Sequence, residues 1–304
     1  MCGISGIIYK NERADGLGPV GEDLVKMLDS LAHRGMDSTG VTVVGEDVAG
    51  DLLVRIWTEH EADAETVLAR AEEVVRESGG TVRQKHRIGA FIRVGVDYDG
   101  EVPRLARALL DTEGVNLHSI GRVSEVVKDV GTALDMDSRH HISRLRGTHG
   151  IGHVRMATES VVDINHAHPF WAYPFPDVTV VHNGQLTNYH KLKRSYQDRG
   201  HRFQTGNDSE LIAVYLAEKL ADGTTLDQSL RDSLDDLDGT FTYLVSTRDG
   251  LGYAKDRWSA KPLVTMETDD VVAIASEETA LRSVFSQEID RLEPQQNEVM
   301  TWSV

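Results

Sequence analysis

The chain has 304 residues, 40% of them hydrophobic, and carries 49 acidic against 32 basic residues for a net charge of −17. That length holds one large domain or two ordinary ones. The acidic balance argues against nucleic acid as a partner, because phosphate contacts need clustered Lys and Arg. No apolar run approaches the ~20 residues of a membrane span, and a single cysteine, Cys2, excludes an internal disulfide framework.

Residues 3–9 read as a short apolar strand, with Ile4, Ile7, Ile8 and Tyr9. Polar and charged residues follow at once (Lys10, Asn11, Glu12, Arg13), which is not the pattern of a secretory signal. The expected setting is the cytoplasm. Leu24, Met27, Leu28 and Leu31 recur at helical spacing and predict a helix over Asp23 to Leu31. A polar, glycine-bracketed loop from Ala32 to Gly40 leads into a strand at Val41 to Val44. From about 45 to 145 the text carries no chemical motif and reads as an insertion or subdomain within a single 1–304 domain. Its expected elements are helices at 62–77 and 103–111 and strands at 88–96 and 122–130. A glycine-rich loop then enters a strand ending near Arg155. Val178 to Val181 is a β-branched strand that stops at His182-Asn183-Gly184. Helices are expected at 187–199 and from Ser209 to Leu220, then strands at 240–246, 251–254, 262–266 and 271–275. No phosphate-binding glycine motif is present.

Chemistry concentrates at a few positions. Cys2 directly follows Met1, so removal of Met1 would give one residue both a thiol and a free α-amine. The amine is a base of pKa about 7.7–8.0, and such a pairing activates a nucleophile. The competing reading is an accidental cysteine at a frayed end. Asn183-Gly184 at a strand end can offer a side-chain amide and a backbone N–H to a developing negative charge. Taken alone, the same dipeptide is the strongest short signal for a hairpin turn. Arg155 inside a strand can clamp a carboxylate in a two-pronged contact or pair with a structural acid. Asp208, opening a helix, can hold an ammonium; alone, it is better read as an N-cap. His140-His141 and His166-Ala167-His168 are close pairs without the surrounding ligands that zinc requires, and no metal site is assigned.

Together these pieces resemble the class II glutamine amidotransferases, which are N-terminal-nucleophile hydrolases. The resemblance is carried by Met1-Cys2-Gly3-Ile4-Ser5-Gly6, by His33-Arg34-Gly35-Met36-Asp37-Ser38-Thr39-Gly40, and by Gly152-His153-Val154-Arg155-Met156-Ala157-Thr158. It continues through Ala167-His168-Pro169-Phe170, His182-Asn183-Gly184, and Asn207-Asp208 with Glu210. Many relatives have His-Gly where this chain has Glu159-Ser160, and Pro where it has Met36. The resemblance implies an α+β fold, a four-layer αββα sandwich. It also implies roles: Cys2 as nucleophile with its α-amine as base, Asn183 and Gly184 as the oxyanion hole, Arg155 and Asp208 on the carboxylate and ammonium of L-glutamine, and Thr158 lining the same pocket.

The phrasing around Gly147 to Ser160 and Asp235 to Gly239 is most similar to free-standing amidotransferase subunits of glutamate-synthase-like complexes, including N-methylglutamate synthase. That resemblance implies a separate ammonia-using synthase subunit, with any FMN and iron–sulfur cluster in the partner and no cofactor in this chain. Two other readings stay open on the sequence: a glutamine-sensing subunit with little hydrolysis, and an amidase for another γ-glutamyl amide.

Overall fold

The computed structural model describes residues 2–10, 17–45, 50–157, 162–286 and 291–304. In chain order the first half contains β1 (Gly3–Tyr9), α1 (Val20–Ser30), β2 (Ser38–Val44), β3 (Leu52–Trp57) and α2 (Ala64–Glu77). It continues with β4 (Thr81–Ile88), β5 (Phe91–Asp97), α3 (Val102–Leu110), β6 (Asn116–Gly121), β7 (Ser124–Val130) and α4 (Ala133–His140). The second half opens with β8 (His149–Arg155), β9 (Phe170–Trp171), β10 (Thr179–Leu186), α5 (Tyr189–Asp198), α6 (Asp208–Ala221) and α7 (Leu226–Asp236). It closes with β11 (Gly239–Thr247), β12 (Gly250–Lys255), β13 (Val264–Glu267), β14 (Val271–Ala275), α8 (Glu278–Arg282), β15 (Arg291–Leu292) and β16 (Glu298–Ser303).

Two antiparallel sheets stack face to face. The larger has seven strands in the order β15-β13-β14-β1-β8-β2-β7, with β1 at its centre. The smaller has five, in the order β16-β12-β11-β10-β9. Strand alternation decides which side chains enter the seam between them. Ile4 and Ile8 of β1 point inward with Ile151, Val181, Leu244, Leu251, Tyr253 and Ile274, all fully buried. Ile7, one pleat away, points outward against Leu24, Met27 and Leu28 of α1, beside Met136 of α4 and Leu281 of α8. On the far side, Val180, Phe241, Tyr243 and Val245 pack under Leu211, Ile212 and Tyr215 of α6 and Leu230 of α7. The result is helices, sheet, sheet, helices: the four-layer αββα sandwich expected from the resemblance.

A third sheet, β4-β5-β3-β6, stands apart with α2 and α3 on one face, and Leu52, Val54, Leu68, Val94 and Leu105 fill its own core. The sheet and its helices run over 52–121, and Trp171 and Tyr173, from β9 and the turn after it, share their core; of the rest of the 45–145 segment, β7 pairs with β2 in the large sheet and α4 packs on the main core. The buried carboxylate of Glu125 on β7 ties the unit down. It takes Arg55 Nε of β3 at 3.0 Å and Arg93 Nε of β5 at 3.2 Å.

Several expected elements differ in extent. The first helix starts at Val20, three residues before Asp23, and β2 begins at Ser38. The strand expected at 88–96 is one arm of a hairpin, β4 and β5, whose turn sits at Gly89. β4 is an edge strand exposed along most of its length, so its sequence lacks the apolar alternation that marks a half-buried strand.

Because Leu244 is fully buried in the seam, Leu244→Ala is expected to cost about 2–5 kcal/mol. Urea unfolding reads this as a lower midpoint at unchanged slope.

Candidate active site

Cys2 is the residue before β1, half-buried at the edge of a cleft of about 720 Å³. Antiparallel register puts Gly3 opposite Val154, so the strand ends that carry Cys2 and Arg155 lie side by side. The Cys2 backbone is pinned. Its carbonyl oxygen accepts from Arg34 Nε at 3.0 Å and from Asn183 Nδ2 at 3.1 Å. Arg34 is in turn ion-paired with Glu277, just before α8. The Cys2 thiol is free and lies 3.9 Å from the Met156 carbonyl.

Arg155 is the last residue of β8 and is buried. The loop before β2 grips the chain here: Asp37 N donates to Arg155 O at 3.0 Å, and Ala157 N donates to Asp37 Oδ2 at 2.7 Å. Gly35 is required for this approach, since a Cβ there would stand 2.3 Å from the Arg155 carbonyl carbon. Thr158, expected in the same pocket, lies outside the described residues.

Asn183 and Gly184 come from the other sheet. The hairpin-turn reading does not hold, because β10 runs on through them to Leu186, pairing Asn183 with Thr242 and Gly184 with Phe241 of β11. Gly184 has φ +148°, and a Cβ there would meet Thr240 O at 2.1 Å. Only glycine fits a position both left-handed and this close to backbone.

The N-cap reading of Asp208 also gives way. The cap is Asn207, whose side-chain oxygen accepts from Ser209 N at 2.9 Å. Asp208 is the first residue of α6, and its Oδ2 accepts from Leu186 N at 2.9 Å. Burial raises its pKa, but His182, the Leu186 N–H and Ser209 outweigh that, and the net shift is downward. The carboxylate is thus held ionised. Cys2, Arg155, Asn183, Gly184 and Asp208 all line the one cleft.

Three histidines cluster here: His168 and His182 line the cleft, and His153 packs against them. His153 of β8 stacks on His168 with ring centroids 4.0 Å apart. His153 Nε2 lies 3.2 Å from the His182 carbonyl, a direct bond from one sheet to the other. His168 Nε2 and His182 Nδ1 both contact Ser209 Oγ, at 2.8 and 2.9 Å. Burial lowers His153 to about 3 and His168 well below the usual 6.5. His140 contacts Asp129 and His166 contacts Asp163. Among the described residues no group of three or more His, Cys, Asp or Glu is arranged to hold a metal ion. Arg34, His182 and Ser209 were given no role by the sequence, although each stands inside one of the motif blocks; their partners come from distant segments, which residue type alone does not reveal.

Comparison with known proteins agrees with the geometry. Residues 153–283 match a family model described as a glutamine amidotransferase domain. The chain is 38% identical over 302 residues to a putative glutamine amidotransferase of Methanothermobacter thermautotrophicus, covering 97% of each. It is 37% identical to the glutamine amidotransferase-like protein GlxB of Rhizobium meliloti, covering 99% of this chain and 98% of that one. Among solved structures, the glutamine phosphoribosylpyrophosphate amidotransferase of B. subtilis superposes with a TM-score of 0.62 at 21% identity, over 99% of this chain and 47% of that one. This chain therefore spans about half the length of that enzyme, and the likeness concerns the fold.

The buried histidines set an acid limit. Burial lowers His149 to about 4 as well. A histidine whose folded pKa is depressed binds its proton only on unfolding, so stability is lost as pH falls below about 6.5, until the folded pKa is reached. Urea midpoints are expected to drop from pH 7 to pH 5. The drop should be shallower in His149→Gln, by up to one proton taken up on unfolding.

Proposed function

Because the chain belongs to the class II glutamine amidotransferases, we propose that it is a glutamine-hydrolysing subunit that passes ammonia to a separate synthase subunit. The observation that carries this reading is the meeting of a thiol, a guanidinium, a carboxylate and an Asn-Gly pair on one cleft. L-Glutamine offers the complementary set: an α-carboxylate for Arg155, an α-ammonium for Asp208, and a side-chain amide for Cys2.

In this reading Met1 is removed and the Cys2 α-amine takes the thiol proton, directly or through water. The sulfur adds to the amide carbon, and the oxygen gains negative charge. Asn183 Nδ2 carries two hydrogens, one engaged by Cys2 O; the other, with the Gly184 N–H, stabilises that oxyanion. The C–N bond breaks, the amine returns the proton to the departing ammonia, and a γ-glutamyl thioester remains. Water then adds to the thioester, releasing glutamate and the thiol. The ammonia acceptor belongs to the partner, as would any FMN or iron–sulfur cluster that the acceptor reaction uses. The cytoplasm is the expected setting; no helix among the described residues is long and apolar enough to cross a membrane.

Intact mass before and after a glutamine-like alkylating analogue tests the site. Loss of Met1 and one covalent adduct at Cys2 are expected. Cys2→Ala is expected to abolish glutamine-dependent activity while ammonia-dependent synthesis persists in the complex. A Cys2→Ala protein that still hydrolyses glutamine would overturn the reading.

A further inference from the structure

The hydrogens in the buried seam behind the cleft can be assigned one at a time. The His182 carbonyl can only accept, so His153 Nε2, 3.2 Å away, carries the hydrogen and His153 Nδ1 is a bare lone pair. The second nitrogen of each of these three rings, His153 Nδ1, His168 Nδ1 and His182 Nε2, is buried without a partner. A buried N–H without an acceptor is rarer than a buried acceptor without a donor. The hydrogens of His168 and His182 therefore sit on the paired nitrogens, His168 Nε2 and His182 Nδ1, and both point at Ser209 Oγ.

A hydroxyl oxygen accepts two hydrogen bonds and donates one. With both acceptor positions filled by imidazole N–H groups, the Ser209 hydrogen must leave in a third direction. The acceptor there is Asp208 Oδ1, at 3.4 Å. That distance is long, as such contacts often are before substrate closes the site. Asp208 Oδ2 is held separately by Leu186 N at 2.9 Å. His182 Nδ1 also lies 3.4 Å from Asp208 Oδ1, so Ser209 and His182 face that oxygen from inside the protein while Leu186 N holds the other. The arrangement is braced from below. Lys128, buried on β7, donates to Ala167 O at 2.9 Å and Pro169 O at 3.3 Å, the residues either side of His168.

We propose that Ser209, fixed as a donor by His168 and His182, is a positioning residue that orients the Asp208 carboxylate for the ammonium of an α-amino acid amide. The proposal rests on the reading of Asp208 as the ammonium partner, and goes beyond it by naming what sets that carboxylate's aim.

The test compares two substrates on the purified chain: L-glutamine, and glutaramate, which has the same amide and carboxylate but hydrogen in place of the ammonium. Wild type should prefer glutamine strongly. In Ser209→Ala the KM for glutamine should rise roughly tenfold, the factor for one charge-assisted hydrogen bond, with kcat changing far less. The preference for glutamine over glutaramate should shrink by the same factor. Ser209→Cys, which keeps the shape with a weaker donor, should fall between the two, and it carries the test if the alanine variant does not fold. An unchanged preference in the folded variant overturns the role of Ser209. A wild-type protein that turns over neither substrate, or shows no preference, instead sinks the reading of Asp208 and the proposal with it.

Discussion

The apolar seam between the two sheets is the constraint on which the site depends. Cys2 and Arg155 are carried by the seven-stranded sheet, and Asn183 and Gly184 by the five-stranded one. No single element holds both halves. What fixes their separation is the packing of Ile4, Ile8 and Ile151 against Val181, Leu244 and Tyr253. Stacked sheets sit about 10 Å apart because side chains of this size interdigitate at that distance. The cleft opens at the strand ends, where the seam gives way to polar groups. The His153 to His182 bond stands at that boundary, locking the sheets at the point where apolar packing stops.

Once the sheets are in register, the Cys2 backbone has little freedom left. Arg34 reaches its carbonyl from the loop before β2, and Asn183 from the opposite sheet. An arginine buried at this point would be costly without a counter-charge, and Glu277 supplies one from the turn before α8. The nucleophile candidate is thus held through its carbonyl, leaving the side chain as the part able to turn toward a substrate. Loop 35–37, with its glycine pressed on Arg155, couples the same loop to the cation across the strand ends.

The sequence was legible where one face of an element meets a core. The strand after Cys2 and the helices over 62–77 and 103–111 carry their burial in their spacing, and they form within two or three residues of expectation. Legibility failed where partners lie far away. Asn183-Gly184 satisfies the local rule for a turn, yet β11 pairs with both residues and carries the strand onward. Asp208 satisfies the rule for a cap, yet Asn207 one residue earlier takes the cap and frees the carboxylate. In both cases the local preference is worth about a kilocalorie per mole, which long-range pairing readily outweighs. The motif blocks picked out Cys2, Arg155, Asn183, Gly184 and Asp208, which meet at one cleft, but the hydrogen bonds among Arg34, Glu277, His168 and Ser209 join segments that no spacing rule connects.

On the proposed reading, the electrostatics of the cleft let an acidic protein bind a zwitterion. With a net charge of −17, the average field repels a carboxylate and attracts an ammonium. The binding geometry reverses that bias locally. Arg155 is buried at the end of a strand, where its charge is screened by water far less than at the surface. Asp208, partly desolvated, is kept ionised by hydrogen bonds that themselves hold it still. On the proposed reading the pair selects the amino-acid end of the substrate and leaves the amide end to the thiol. Selectivity and chemistry then reside on separate residues, and either can be lost without the other.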